Sequence, residues 1–277
     1  MIKACVIGWP ISHSRSPIIH GYWLKHYNIE GSYERIAVAP GNLTTFLKSL
    51  AKENFAGCNV TIPHKELALS AIDYVDESVK QIGALNTVYI RNGKTHATST
   101  DGEGFLQNLL SNCPNFNPNG KNITILGAGG SAKAIIERLL REDVKSITVA
   151  NRTFNRAAEL ASIFGPKIKP ITPENPELQS TDLLINTTSQ GMTGQPALLI
   201  DLSVLPKTAI VADIVYVPLK TKLLEQAETL GLQTVSGLGM LLHQAVRGFE
   251  LWFGVKPEVS PELYNLIAHD IDPDYQS

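Results

Sequence analysis

Asn122-Ile-Thr-Ile-Leu-Gly-Ala-Gly-Gly-Ser-Ala-Lys-Ala134 is the stretch that decides the fold. An apolar run, Ile123 to Leu126, ends in Gly127-x-Gly129-x-x-Ala132, and a helix-compatible segment, Ala134 to Leu140, follows. Strand, glycine turn and helix in that order make the dinucleotide-binding fingerprint, with alanine in the permitted third position. Gly127 allows a tight turn, Gly129 lets the backbone approach a pyrophosphate, and Ala132 lets the helix pack close to the strand. Free N–H groups and the positive end of the helix dipole then face the phosphates. Gly127, Ala128, Gly129, Gly130 and Ser131 are therefore the candidate phosphate contacts.

The next strand, Ser146–Ala150, ends in Asn151-Arg152-Thr153. A site for NAD usually carries Asp or Glu ~20 residues beyond the glycines, bonded to the ribose 2′-hydroxyl. No carboxylate stands there. Arg152 can instead form a bidentate pair with a 2′-phosphate and stack on adenine. Asn151 and Thr153 add polar contacts, and Arg156 lies one helical turn onward. An isolated arginine would read as solvating a helix start; the position after the second strand points to NADP over NAD.

Working outward, the fingerprint sits mid-chain, so other structure must precede it. The 277 residues fit one large domain or two moderate ones. A hydrophobic content of 43% and a net charge of −2 describe an ordinary globular chain with no electrostatic case for nucleic acid or anionic membrane. The three cysteines, Cys5, Cys58 and Cys113, have neither metal-ligand spacing nor a disulfide pattern, which suggests a reducing cytoplasm. Ala4-Cys-Val-Ile7 is too short for a signal-peptide core, and no apolar run reaches the ~18 residues of a membrane span.

Before the fingerprint, the patterning predicts strands at Lys3–Ile7, Tyr33–Val38 and Gly57–Ile62 and helices at Pro17–Tyr27 and Leu43–Leu50. Thr87–Ile90 and Lys94–Thr98 flank Asn92-Gly93, the usual hairpin signal. A second part begins near Gly102, and the polar run Asn112 to Gly120 reads as a connection. After Ser146–Ala150, a helix at Ala157–Phe164, strands at Leu183–Asn186 and Ile210–Asp213 and a helix at Leu219–Leu230 imply a parallel, doubly wound sheet. Gly239–Phe253 is a helix too apolar to stand alone, and Asp270 to Ser277 is a polar tail.

Four further segments are rich in groups that bind small polar molecules. Gly8-Trp-Pro-Ile-Ser-His-Ser-Arg-Ser-Pro17 offers Ser14 and Ser16 to a carboxylate; taken alone it is an ordinary turn with a capping serine before a proline. Asn59-Val-Thr-Ile-Pro-His-Lys65 puts Thr61 and Lys65 beyond a strand end, although a lone lysine is usually a solvated surface group. Gly83-Ala-Leu-Asn-Thr87 and Thr100-Asp101-Gly102 complete the set, and Thr100-x-x-Glu103 also matches a capping box that would place Asp101 in the first turn of a helix.

Together these segments resemble the shikimate dehydrogenase family. The resemblance continues, in order, through Asn151-Arg-Thr-x-x-Arg156, Thr188-Ser-x-Gly-Met192, Asp213-x-x-Tyr-x-Pro218 and Gly237-x-Gly-Met-x-x-x-Gln244, and covers almost the whole chain. It implies two α/β domains: an N-terminal mixed-sheet substrate domain (1–101 plus 240–277) and a Rossmann-like NADP-binding domain (102–239), with C-terminal helices returning to the first. It implies reversible reduction of 3-dehydroshikimate to shikimate by NADPH, on the path to chorismate and the aromatic amino acids. Lys65 would deliver a proton to the developing alkoxide and Asp101 would fix its geometry, with no metal needed. Ser14, Ser16 and Tyr216 would hold the substrate carboxylate. Thr61, Asn86, Asp101 and Gln244 would meet ring hydroxyls or the reacting end. Ile214 and Gly237 would line the nicotinamide pocket. Glu77 occupies a position sometimes tied to the cofactor, but reads more simply as a solvated helix face.

The chain departs from the family pattern at Ser99, where Asn is common, at Lys133, where Arg is usual, and at Gly21, where Asn is common. Lys133 keeps the charge and loses the planar fork. The competing readings are a quinate/shikimate dehydrogenase of broader specificity and a non-catalytic NADP-sensing regulator. A sensor has no use for a proton donor, so Lys65 beside Asp101 argues against it. Monomer and homodimer remain equally open on the sequence, and the partner is a small molecule rather than nucleic acid or membrane.

Overall fold

Two six-stranded sheets carry the fold. The computed structural model describes residues 1–173 and 178–276. The chain divides into two units, Met1–Asp101 with Leu242–Ile267 and Gly102–Leu241 with Ala268–Ser277.

In the first unit the order is β1 (Ile2–Gly8), α1 (Ser16–His26), β2 (Gly31–Ala37), α2 (Leu43–Ser49), β3 (Phe55–Val60), α3 (His64–Leu67), β4 (Tyr74–Val75), α4 (Glu77–Ile82), β5 (Thr87–Arg91) and β6 (Lys94–Thr98). The sheet runs β2-β1-β3-β5-β6-β4. β1 is parallel to both β2 and β3, whereas β5 is antiparallel to β3 and β6, so the sheet is mixed. Asn92-Gly93 joins β5 to β6 as the hairpin signal requires. Cys5, Ile7, Leu47, Cys58, Val60 and Val88 belong to one core cluster of this unit.

The second unit is built from α5 (Asp101–Asn112, whose first residue groups with the first unit), β7 (Asn122–Leu126), α6 (Gly130–Leu140), β8 (Ser146–Ala150), α7 (Phe154–Phe164), β9 (Ile168–Ile171), β10 (Leu183–Asn186), β11 (Ile210–Asp213), α8 (Lys222–Thr229) and β12 (Gln233–Val235). Every strand pair is parallel and the order is β12-β11-β10-β7-β8-β9. The first strand, β7, is central, and the chain reverses direction of travel between β7 and β10, the switch point where doubly wound sheets bind ligands. Two apolar clusters pack the unit, one around Ile123, Ile125, Ile135 and Val149 and one around Leu126, Leu184, Val211 and Leu224.

Two last helices follow, α9 (Gly237–Phe253) and α10 (Pro261–Ile271). The later turns of α9 find their partners in the first unit, where Trp252 Nε1 donates to the Val88 carbonyl at 2.9 Å and Phe249 packs edge-on to Trp23, whereas Met240 in its first turn packs in the cluster around Ile123 and Ile125. Trp23 Nε1 donates in turn to the Glu258 carbonyl at 2.9 Å.

Several expectations need correction. β9 and β12 extend the parallel sheet beyond the strands legible in the sequence. Pro170 pairs with Val149 inside β9, an edge strand, where a missing N–H is tolerated. Asn112 closes α5 rather than opening the polar connection, and Asp270 lies in α10, so the polar tail is shorter than 270–277; its Ser277 is outside the described residues. Residues 240–241 and 268–276 group with the second unit, not the first.

Candidate active site

The first unit's site grows from the carboxyl ends of two neighbouring parallel strands, β1 and β3. Thr61 N donates to the Ile7 carbonyl at 3.0 Å and Trp9 N to the Ile62 carbonyl at 3.1 Å, which laces the two exit loops together. His64 N then bonds the Thr61 carbonyl at 2.8 Å and turns the chain into α3, whose second residue is Lys65. In the loop after β1, Ser16 N donates to Ser14 Oγ at 3.3 Å, and Arg35 Nε donates to the Ser14 carbonyl at 2.7 Å. These are the contacts of a serine turn. Ser14 is half-buried and Ser16 is buried.

Lys65 Nζ donates to Asp101 Oδ2 at 2.5 Å. The two side chains are 31% and 14% exposed, so the pair is partly dehydrated yet reachable from outside. Asp101 is also the first residue of α5, so the helix-start reading and the site reading hold together. Its other oxygen, Oδ1, accepts from Asn86 Nδ2 at 2.8 Å, and the same amide reaches Gln244 Oε1 at 3.4 Å. Asn86 Oδ1 is taken by Thr100 N at 2.9 Å and the Thr87 hydroxyl at 3.0 Å. The structure thus gathers Lys65, Asn86, Asp101 and Gln244 into one connected group.

In the second unit the glycine turn has the geometry a phosphate cradle needs. Gly127 sits at φ +104°, and a Cβ there would stand 2.8 Å from Thr187 Oγ1 in the loop after β10. A Cβ at Gly129 or Gly130 would meet no protein atom within 4 Å, so nothing in the protein's own packing demands glycine at either place. Ala128 and Ala132 are buried, and Ser131 is half-buried in the first turn of α6. No side chain caps the start of α6, which leaves its first N–H groups for an anion. Beyond β8, Asn151 Nδ2 bonds the Thr153 carbonyl at 2.8 Å. Arg152, Thr153 and Arg156 are all exposed. Neither arginine is paired with a carboxylate among the described residues, and both guanidinium groups are available to a phosphate. These residues fit a 2′-phosphorylated dinucleotide.

A second polar group shapes the loops after β10 and β11. Buried Asp213 accepts from Asn186 Nδ2 at 3.0 Å, Val215 N at 3.0 Å and Thr221 Oγ1 at 2.7 Å. Burial raises its pKa against the pull of those three donors. This group fixes the backbone on either side of half-buried Ile214, whose N donates to the Asn186 carbonyl at 3.1 Å. Gly237 is buried against the same backbone: a Cβ on it would lie 2.3 Å from the Ile214 carbonyl oxygen. Tyr216 follows β11, half-buried, in the second unit, whereas the other carboxylate candidates, Ser14 and Ser16, belong to the first. Glu77 opens α4 in the first unit with its carboxylate 75% exposed and bonded to Lys80 at 2.5 Å, an exposed helix-face pair.

Sequence reasoning gave no role to Tyr33 or Asn59 and read Thr100 only as a cap. Yet Asn59 and Thr100 are both buried beside Asn86. Polar side chains at buried strand positions are the signal that marks them.

Three family models match the chain: the shikimate dehydrogenase substrate binding domain over residues 6–88, shikimate / quinate 5-dehydrogenase over 111–208, and the shikimate 5'-dehydrogenase C-terminal domain over 237–261. A relative from Rhodopseudomonas palustris (strain BisB5), described as shikimate dehydrogenase (NADP(+)), is 48% identical over 98% of this chain and 95% of its own length. Among solved structures, shikimate 5-dehydrogenase from Thermus thermophilus, in complex with NADP(H) and shikimate, is 33% identical with a TM-score of 0.85, covering 98% of this chain and 100% of that one. Quinate dehydrogenase from Corynebacterium glutamicum, in complex with NAD, is 31% identical with a TM-score of 0.88 over 96% and 98% of the two chains.

Proposed function

Because the chain belongs to the shikimate dehydrogenase family, we propose that it interconverts 3-dehydroshikimate and shikimate with NADP as the redox partner, on the path to chorismate and the aromatic amino acids. When bound, NADPH supplies the hydride for the ring ketone. The observation that carries the reading is the Lys65–Asp101 contact, an ammonium held by a carboxylate in a partly dehydrated position. Lys65 polarises the ketone and gives a proton from Nζ to the oxygen on which negative charge develops. Asp101 holds that ammonium through Oδ2 and keeps it aimed. In the oxidative direction neutral Lys65 takes the proton from the substrate hydroxyl.

Around this pair, Asn86 and Gln244 meet the ring hydroxyls, with Thr61 from the loop after β3. Ser14 and Ser16, in the loop after β1, hold the carboxylate. Groups that read hydroxyls discriminate strongly, because an analogue lacking one leaves a buried polar partner stranded. Gly127 to Ser131 and the start of α6 hold the pyrophosphate, and Arg152 with Asn151, Thr153 and Arg156 holds the 2′-phosphate. Ile214 and Gly237 form a wall for the nicotinamide. Cys5 and Cys58 are buried register partners across β1 and β3.

The test is a spectrophotometric assay of purified protein with shikimate or quinate against NADP or NAD. Reduction of NADP by shikimate, far faster than any other pairing, is the expected result. Turnover of quinate with NAD as good as that of shikimate with NADP would replace the reading with a broad-specificity one. NADP binding without turnover of either acid would remove the enzymatic reading.

A further inference from the structure

Behind the reacting pair lies a buried polar chain that the mechanism above does not use. Tyr33, Asn59 and Thr87 are 8%, 6% and 0% exposed, and all belong to the first unit. Asn59 on β3 stands opposite Thr87 on β5. Tyr33 comes from β2, two strands away across β1, where its register partner is the small residue Ala4. Tyr33 Oη lies 2.5 Å from Asn59 Oδ1. Asn59 Nδ2 lies 3.1 Å from the Asn86 carbonyl and 3.2 Å from Thr87 Oγ1.

The direction of every bond follows from groups that have only one option. The Asn86 carbonyl can only accept, so the NH₂ end of Asn59 faces it and Oδ1 faces the phenol, which must donate. Burial raises the Tyr33 phenol well above its ordinary value, so the proton stays on it. Thr100 N can only donate, so Asn86 turns Oδ1 toward it and presents Nδ2 to the Asp101 carboxylate. Thr87 Oγ1 accepts from Asn59, so its own hydrogen goes to Asn86 Oδ1. Donors therefore point one way from Tyr33 through Asn59, Thr87 and Asn86 to Asp101, where Lys65 closes the chain from the other side. Such aligned bonds polarise one another in a buried setting.

We propose that Asn59, Thr87 and Tyr33 are positioning residues for the reaction: together with Thr100, whose N and Oγ1 also bond the Asn86 side chain, the chain they form holds the Asn86 amide in the orientation that turns Asp101 toward Lys65. They touch neither substrate nor cofactor in this role. The inference rests on the reading of Lys65 and Asp101 as the reacting pair.

Thr87 is the link to test. Thr87→Val keeps the shape and removes the hydroxyl, while Asn59 and Asn86 retain their backbone partners. Thr87→Ser restores the hydroxyl and serves as the rescue. Misplacement of reacting groups by about 1 Å costs up to ~100-fold in rate. The expected result is a fall in kcat of about ten- to a hundred-fold for T87V. The NADP KM should not move, the shikimate KM should rise by much less than kcat falls, the melting temperature should drop by a few degrees because a buried Asn59 N–H loses its acceptor, and T87S should keep most of the wild-type rate. In a double-variant cycle, T87V should cost Asp101→Asn far less than it costs the wild type, because the chain acts mainly through that carboxylate. Full activity in T87V, equal losses in T87V and T87S, or independent losses in the cycle would each overturn the proposal. A Lys65→Ala control separates the two readings. If K65A stays active the reacting pair itself is wrong; if K65A is crippled and T87V is not, only the positioning chain fails.

Discussion

His20 lies face to face with Tyr33, ring centroids 4.0 Å apart and planes 13° from parallel. His20 is wholly buried, and neither ring nitrogen has a hydrogen-bond partner within the described residues. Burial pushes its pKa down to about 3. In the unfolded chain it titrates near its ordinary ~6.5, so between those values the unfolded state binds the extra proton. Stability from neutral His20 is complete above pH ~6.5 and drains away as pH falls, at no more than about 1.4 kcal/mol per pH unit. Urea unfolding of wild type and His20→Phe at pH 7, 5.5 and 4 should show a shallower acid decline in the variant. Parallel declines would mean that His20 is not the group responsible.

Lys65→Ala should lower kcat by about 10²- to 10⁴-fold while the shikimate KM changes little, since the ammonium acts on charge that develops in the transition state. Steady-state rates with saturating NADP check this. A rise in KM with kcat intact would recast Lys65 as a binding group.

Arg152→Ala should raise the KM for NADP by about 10- to 100-fold, the worth of a charge-assisted hydrogen bond, and leave the shikimate KM alone. The KM for NAD should rise far less, because NAD has no 2′-phosphate to lose and gives up only the stacking of Arg152 on adenine. Equal effects on both dinucleotides would argue against 2′-phosphate recognition.

Gly237→Ala should be costly out of proportion to one methyl group. The new Cβ would sit 2.3 Å from the Ile214 carbonyl oxygen and 2.7 Å from that of Val215, and both are backbone atoms that cannot swing aside. Overpacking of this kind costs about 1–3 kcal/mol. The variant should melt at a lower temperature and bind NADP less tightly, as isothermal titration would record. Unchanged binding would separate Gly237 from the nicotinamide wall.

Much of this was legible before any coordinates. Gly127-x-Gly129-x-x-Ala132 is a local pattern with a local geometry, and Asn92-Gly93 carries its turn within two residues. The apolar runs of β7, β10 and β11 announce buried parallel strands. β9 escaped because Ile168-Lys-Pro-Ile171 has neither an apolar run nor alternation, and an edge strand needs neither. The site was harder. Lys65 and Asp101 are 36 residues apart, and only the family resemblance joins them in sequence. The bond from Tyr33 to Asn59 passes across β1, so it exists only once the strand order β2-β1-β3 is known. Local patterning says which face a residue takes, but not which strand lies next to it.

The outer strands of the two sheets have a consequence for how the protein behaves at high concentration. β4, β12 and β9 have two, three and four residues, and one residue of β9 is Pro170, which can donate no backbone hydrogen bond. β2 is the one long edge, and it exposes Glu34 and Arg35. Short, proline-bearing or charged borders are poor templates for a foreign strand. The molecule is thus guarded against edge-to-edge stacking and amyloid-like growth by the way its sheets end.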